Sequence, residues 1–177
     1  MMKKLIDRIA GGLDRVSDGL GLFCAALVLV MALLIGFEVF MRYVVGRAPL
    51  LADELSRYML VAITFLGLSY VWKEHAHVRV EALATKLSKV AANRLRIVTL
   101  ILALVFVIGL FAGSLEFIER SFDQNRTSDS WLRVPLRYPE SAIVVGFLLL
   151  AAQVAATIWR AIGIVKSGGH LEKEEAQ

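Results

Sequence analysis

Apolar and charged positions along this chain fall into long blocks, not into the short alternations of a soluble fold. Residues 20–37 form an uncharged run of 18, residues 58–72 one of 15, and residues 97–115 and 141–159 runs of 19 each. Wound as helix, runs near this length match the hydrocarbon thickness of a bilayer. They predict four unbroken membrane spans, at about residues 20–40, 52–73, 96–117 and 140–161. Ahead of the first, Leu5, Ile6, Ile9, Leu13 and Val16 recur at three- and four-residue spacing, with Lys3, Lys4, Asp7, Arg8, Asp14 and Arg15 on the other side. That pattern predicts an amphipathic interfacial helix over residues 1–18; the alternative is a frayed tail. Residues 80–94 repeat the theme, with Val80, Leu83, Leu87 and Val90 on one stripe and Lys86, Lys89 and Arg94 elsewhere. Residues 166–177, which hold Gly168, Gly169 and a Lys/Glu-rich end, read as a flexible tail. The expected fold class is an all-α integral membrane protein, one membrane domain over residues 1–177.

Composition agrees, since 58% of the 177 residues are hydrophobic, against about 45–50% in ordinary soluble domains. The largest stretch between spans, residues 116–140, has 25 residues, too few for a separate catalytic or nucleotide-binding domain. Cys24 is the single cysteine, so no disulfide within the chain is possible, and it reads as a small apolar residue of the first span. Lys3 and Lys4 stand far ahead of Leu20 and no small-residue cleavage pattern follows the run, so the first span is expected to be retained. The net charge of +4 has a layout that explains it. With both termini on one side, that side carries 13 Lys and Arg and the other 7, the positive-inside asymmetry of a chain whose termini are cytoplasmic. No basic face calls for a nucleic-acid partner.

Candidate chemistry is sparse inside the spans. Solute sites in secondary transporters need broken helices and polar groups near the midplane. Here the spans offer little beyond Thr64, Ser69, Thr99, Ser114 and Gln153, and Gln153 is expected to hydrogen-bond a neighbouring helix. Ionisable residues gather instead at one boundary. Glu38 and Arg42 stand four apart at the end of span one, and Asp53, Glu54 and Arg57 open span two. Acids at a helix N-terminus suit its dipole, and the spacings allow ion pairs. The cluster either terminates helices at the headgroups, or it orders the first hairpin or docks a partner protein. His75-Ala76-His77, with only Glu74, Glu81 and His170 as further ligands, falls short of a metal site. No histidine lies within a span to hold haem, and no catalytic triad is present, so no cofactor is expected. Gly109/Gly113, Ala32/Gly36, Ala151/Ala155 and Ala152/Ala156 are expected to let helices approach closely.

An ordered set of segments completes the picture: Phe40-Met41-Arg42-Tyr43-Val44, Leu51-Ala52-Asp53-Glu54-Leu55-Ser56-Arg57, Phe65-Leu66-Gly67, and His75-Ala76-His77-Val78-Arg79-Val80-Glu81. Together with Trp131 and Pro139 ahead of span four, they resemble the small permease subunit of TRAP (tripartite ATP-independent periplasmic) transporters. Asp53-Glu54 would match that family's acidic pair and His77 its histidine, while Leu51 stands where the family often has tryptophan. The resemblance implies a non-catalytic scaffold in the bacterial inner membrane. Its implied partners are membrane lipids, a large permease subunit that holds the substrate and sodium sites, and a periplasmic solute-binding protein delivering a carboxylate or sialic acid. On that reading Glu38, Arg42, Asp53, Glu54, Arg57, His77 and Glu81 are candidate structural or docking residues, and none binds substrate. Two rival readings are a small homodimeric proton-coupled exporter using Glu38, and a membrane anchor for a redox enzyme.

Overall fold

Inside hydrocarbon an open chain can satisfy its backbone only by coiling on itself, and each apolar block does so. The computed structural model describes residues 2–47, 51–75, 89–130 and 133–166. Helix α1 runs from Met2 to Phe40 and ends in a π-helical turn, Met41–Val45, closed by Gly46 at φ 73°. Helices α2 (Leu51–Leu66) and α3 (Leu68–His75) follow, then α4 (Lys89–Asp123) and α5 (Arg137–Lys166). Among the described residues the extended pairing is confined to a bridge between Thr127 and Pro135 in the α4–α5 loop.

Helices α1, α4 and α5 are each long and apolar enough to cross a bilayer, and α2 with α3 makes a fourth crossing when the bent pair is taken as one span. That second span differs from the unbroken helix expected of it. It bends by 41° between Leu66 and Leu68. Gly67 allows the bend, because a Cβ there would lie 2.7 Å from the Ile63 carbonyl oxygen, and glycine is among the recognised causes of a sharp kink. The helical ladder continues through it, from Gly67 N to Ile63 O at 3.1 Å and from Val71 N to Gly67 O at 2.9 Å.

The helix expected over residues 1–18 is not a separate element: α1 is continuous from Met2 to Phe40. Its covered seam passes through Ala10 and Ser17, both buried, whereas Ile9 and Val16 are exposed. Of the stripe over residues 80–94, residues 80–88 lie outside the described residues, as do His77, Glu81, Trp131 and the tail beyond Lys166.

Charged residues mark two levels. Nineteen uncharged residues separate Asp18 from Glu38, Arg96 from Glu116, and Glu140 from Arg160; Glu54 and Lys73 bracket the second span, with Arg57 one turn inside. At 1.5 Å per residue each interval is about 30 Å, a bilayer's hydrocarbon core. One level is thus a glutamate rim of Glu38, Glu54, Glu116 and Glu140. The other is a mainly basic rim of Asp18, Lys73, Arg96 and Arg160.

Between the rims, α5 is the central helix, meeting α2, α3 and α4, while α1 lies against α2 and α3. Val107, Leu150 and Val154 form the buried core, covered by Leu68, Trp72, Leu104, Phe147, Ala151 and Ile158. Hydrophobicity does not drive helices together in lipid, so close packing must. Gly146 supplies it: a Cβ on Gly146 would stand 2.3 Å from the Phe65 carbonyl oxygen, and beside it the Phe65 and Phe147 rings meet edge-to-face at 5.4 Å. Gly21 plays the same part for α1, its Cα facing the Tyr70 ring. Gly36, Gly109 and Gly113 have open space around them, so the spacings that marked them do not bring helices of this chain together.

Candidate functional site

The glutamate rim holds the candidate residues at the ends of spans one and two. Glu38, on the last turn of α1, is buried and accepts a hydrogen bond from the Arg42 guanidinium one turn on. In the first turn of α2, Asp53 Oδ2 accepts from Arg57 Nη2 at 2.6 Å. Both of these side chains are open, at 65% and 74% exposure. Glu54, the next residue along, turns the other way and is buried. It accepts from Tyr58 Oη at 2.6 Å and, on its second oxygen, from Ser130 Oγ.

Ser130 arrives from the α4–α5 loop, a segment 76 residues away in sequence. There Ser128 N donates to Val134 O at 2.9 Å and Leu136 N to Arg126 O at 3.0 Å, making a short hairpin. Asn125 and Arg133 take positive φ, 46° and 42°, where the chain turns into and within it. Ser128 Oγ donates to Ser130 Oγ at 2.9 Å, so a relay of two hydroxyls ends on the Glu54 carboxylate. A buried carboxylate needs such donors, and the loop supplies them. The acidic pair therefore divides: Glu54 is used within the chain to pin the loop, and Asp53 with Arg57 faces outward.

A second polar cluster sits at the basic rim, and sequence reasoning passed over most of it. Asp14 of α1 accepts from Gln153 Nε2 at 2.8 Å and from Arg160 Nη2 at 2.5 Å, both on α5. Asp18, one turn along α1, pairs with Lys73 of α3. Trp72 Nε1 donates to Thr157 Oγ1 at 3.2 Å, which donates to Gln153 O at 2.9 Å. Gln153 does hydrogen-bond a neighbouring helix, as expected. What could have pointed to this cluster is the pair of acids, Asp14 and Asp18, four residues apart on one face of α1 just ahead of the uncharged run.

Chemically, both clusters are carboxylates neutralised by donors. Apart from Arg57, no charged side chain lies between the two rims, and Glu38 stands at a span's end, not at its middle. That position removes the proton-exchange role considered for it.

A family model described as tripartite ATP-independent periplasmic transporters, DctQ component, matches residues 31–163 of the chain. A protein of Haemophilus influenzae named as a TRAP transporter small permease is 26% identical over 99 residues, covering 56% of this chain and 62% of that protein. The chain thus spans less than two thirds of that relative's length.

Proposed function

The chain belongs to the DctQ-component family of tripartite ATP-independent periplasmic transporters, and on that premise we propose that it is a non-catalytic small subunit bracing a large permease. It is a multi-pass inner-membrane protein and a transporter component; the family is not one of known enzymes. The transporter as a whole is read as a cation-coupled importer of an organic acid of the carboxylate or sialic acid class. Sodium and solute would be bound by the large subunit and the solute delivered by a periplasmic binding protein. Both termini of this chain would face the cytoplasm, a reading supported by the positive-inside count.

The observation that carries this reading is the uncharged interval between the rims. A solute anion crossing the membrane needs compensating groups at depth, and this chain places its charges at the two boundaries. What it offers instead is surface. Much of α4 is exposed apolar side chain, including Leu102, Val105, Phe106 and Ile108, more than a soluble chain displays.

Uptake by proteoliposomes tests the proposal. This chain alone should give none, the chain with its large subunit should give cation-dependent solute uptake, and transport by the chain alone would overturn the reading. The outward Asp53–Arg57 pair is read as a docking contact for the partner, a reading its exposure supports. Arg57→Ala is expected to lower co-purification of the large subunit, and unchanged co-purification would remove the pair from the interface.

A further inference from the structure

The outer surface of α1 carries a pattern that the scaffold role does not use. Arg8, Gly12, Arg15, Gly19, Leu22, Ala26, Leu29 and Leu33 recur at alternating spacings of four and three, so they share one helix face. Every one is exposed. This face lies opposite the seam through Ala10, Ser17 and Cys24, which are buried against the rest of the chain.

The face changes chemistry along its length. From Leu22 to Leu33 it is a smooth aliphatic track, with Leu22 76%, Leu29 65% and Leu33 67% exposed. Beyond the basic rim it becomes two arginines over a glycine floor. A Cβ built on Gly11, Gly12 or Gly19 would meet nothing within 4 Å, so the space between and beside the guanidinium stems is open. Arg8 and Arg15 are seven residues apart, about 10 Å along the axis, so both lend positive potential to the same face. Arg42, Arg57, Lys73, Arg120 and Arg160 are each paired with a carboxylate; no such pair is formed by Arg8 or Arg15 among the described residues.

Depth selects the occupant. Asp18 marks the edge of the hydrocarbon, and Arg15 lies three residues beyond it, about 4.5 Å. The headgroup layer on each side of a bilayer is about 5–7 Å deep. Arg15 therefore stands at the level of the lipid phosphates, and Arg8 reinforces the positive potential two turns further out. A ligand satisfying the whole face has an anionic head for the arginines and a hydrocarbon tail for the leucine track. We propose that this face of α1 holds an anionic phospholipid of the leaflet on the basic-rim side, its phosphate at Arg15 under the added positive potential of Arg8 and an acyl chain along Leu22, Ala26, Leu29 and Leu33. The site holds whether or not the chain braces a permease.

Native mass spectrometry of the full chain, taken from nanodiscs of mixed phosphatidylglycerol and phosphatidylcholine, tests it. The chain should retain phosphatidylglycerol in preference to phosphatidylcholine. Each cation at a membrane surface contributes about fivefold to association with anionic lipid, so Arg8→Gln with Arg15→Gln should lower that retention by between about fivefold, from Arg15 alone, and about 25-fold. Arg8→Lys with Arg15→Lys should keep it, because both charges remain. Arg47→Gln, which removes an exposed arginine at the opposite rim, should change nothing. Equal retention of the two lipids by the unaltered chain would overturn the proposal. So would unchanged retention in the double Gln variant, an equal loss on Arg47→Gln, or displacement of the lipid by excess inorganic phosphate.

Discussion

The two rims are built from the same side-chain chemistry but fasten different things. At the glutamate rim most bonds are local: Glu38 with Arg42, Asp53 with Arg57, and Glu54 with Tyr58 are all four residues apart. Among the described residues, the hydrogen bond from Ser130 to Glu54 reaches furthest across the sequence there, and it ties down a loop. At the basic rim the bonds span 55, 139 and 146 residues and join α1 to α3 and α5. One rim finishes helices; the other knots them together. An i,i+4 pair stabilises the helix it sits on and says nothing about its neighbours. A bond between helices, in lipid, is one of the few forces setting their arrangement.

Substitutions can break or sharpen this contrast. Asp14→Ala should do most, because it leaves Gln153 and Arg160 without their acceptor. A charged hydrogen-bonded group of this kind contributes about 2–3 kcal/mol, read as a lowered unfolding midpoint in a denaturing-detergent titration. A loss no larger than that of a local rim pair would erase the distinction. Glu54→Ala should come next and act locally, releasing the hairpin so that trypsin cuts sooner at Arg126 and Arg133 while the helices stay assembled. If cleavage is no faster, the hydroxyl relay does not hold the loop. Lys73→Ala removes a half-exposed pair and should cost about 0.5–1 kcal/mol by the same titration. Arg57→Ala should be smallest, about 0.3 kcal/mol or less. Combined with reduced recovery of the large subunit, that would identify a residue serving the partner and not the fold.

Sequence made the spans and the rim pairs readable for one physical reason: each is a local pattern. A run of apolar residues, or two opposite charges one turn apart, carries its meaning without knowledge of the rest of the chain. The knot at the basic rim was not readable, because Asp14 and Arg160 meet only after three helices have chosen their neighbours. The small residues make the same point. Gly109 and Gly113 had the expected spacing and face open space, whereas Gly146, four residues after Ala142 in a pair of the same spacing, receives the backbone of α2. Spacing identifies a helix surface that can be approached closely; it does not name what approaches. The bend at Gly67 was hidden likewise, since a lone glycine in an apolar run is compatible with a straight span.

The even distance between the rims bears on where this protein can work. Spans of one hydrophobic length define one preferred bilayer thickness, and departures cost fractions of a kcal/mol per Å for each helix. A single helix normally escapes such mismatch by tilting. Helix α1 cannot tilt independently, because Asp14 and Asp18 hold it to α5 and α3. Helix α4 is packed onto α5 through Val107, Leu150 and Val154, the buried core. In a bilayer thicker or thinner than its match, the three cross-tied helices therefore keep their relative angles, and the mismatch falls on the surrounding lipid.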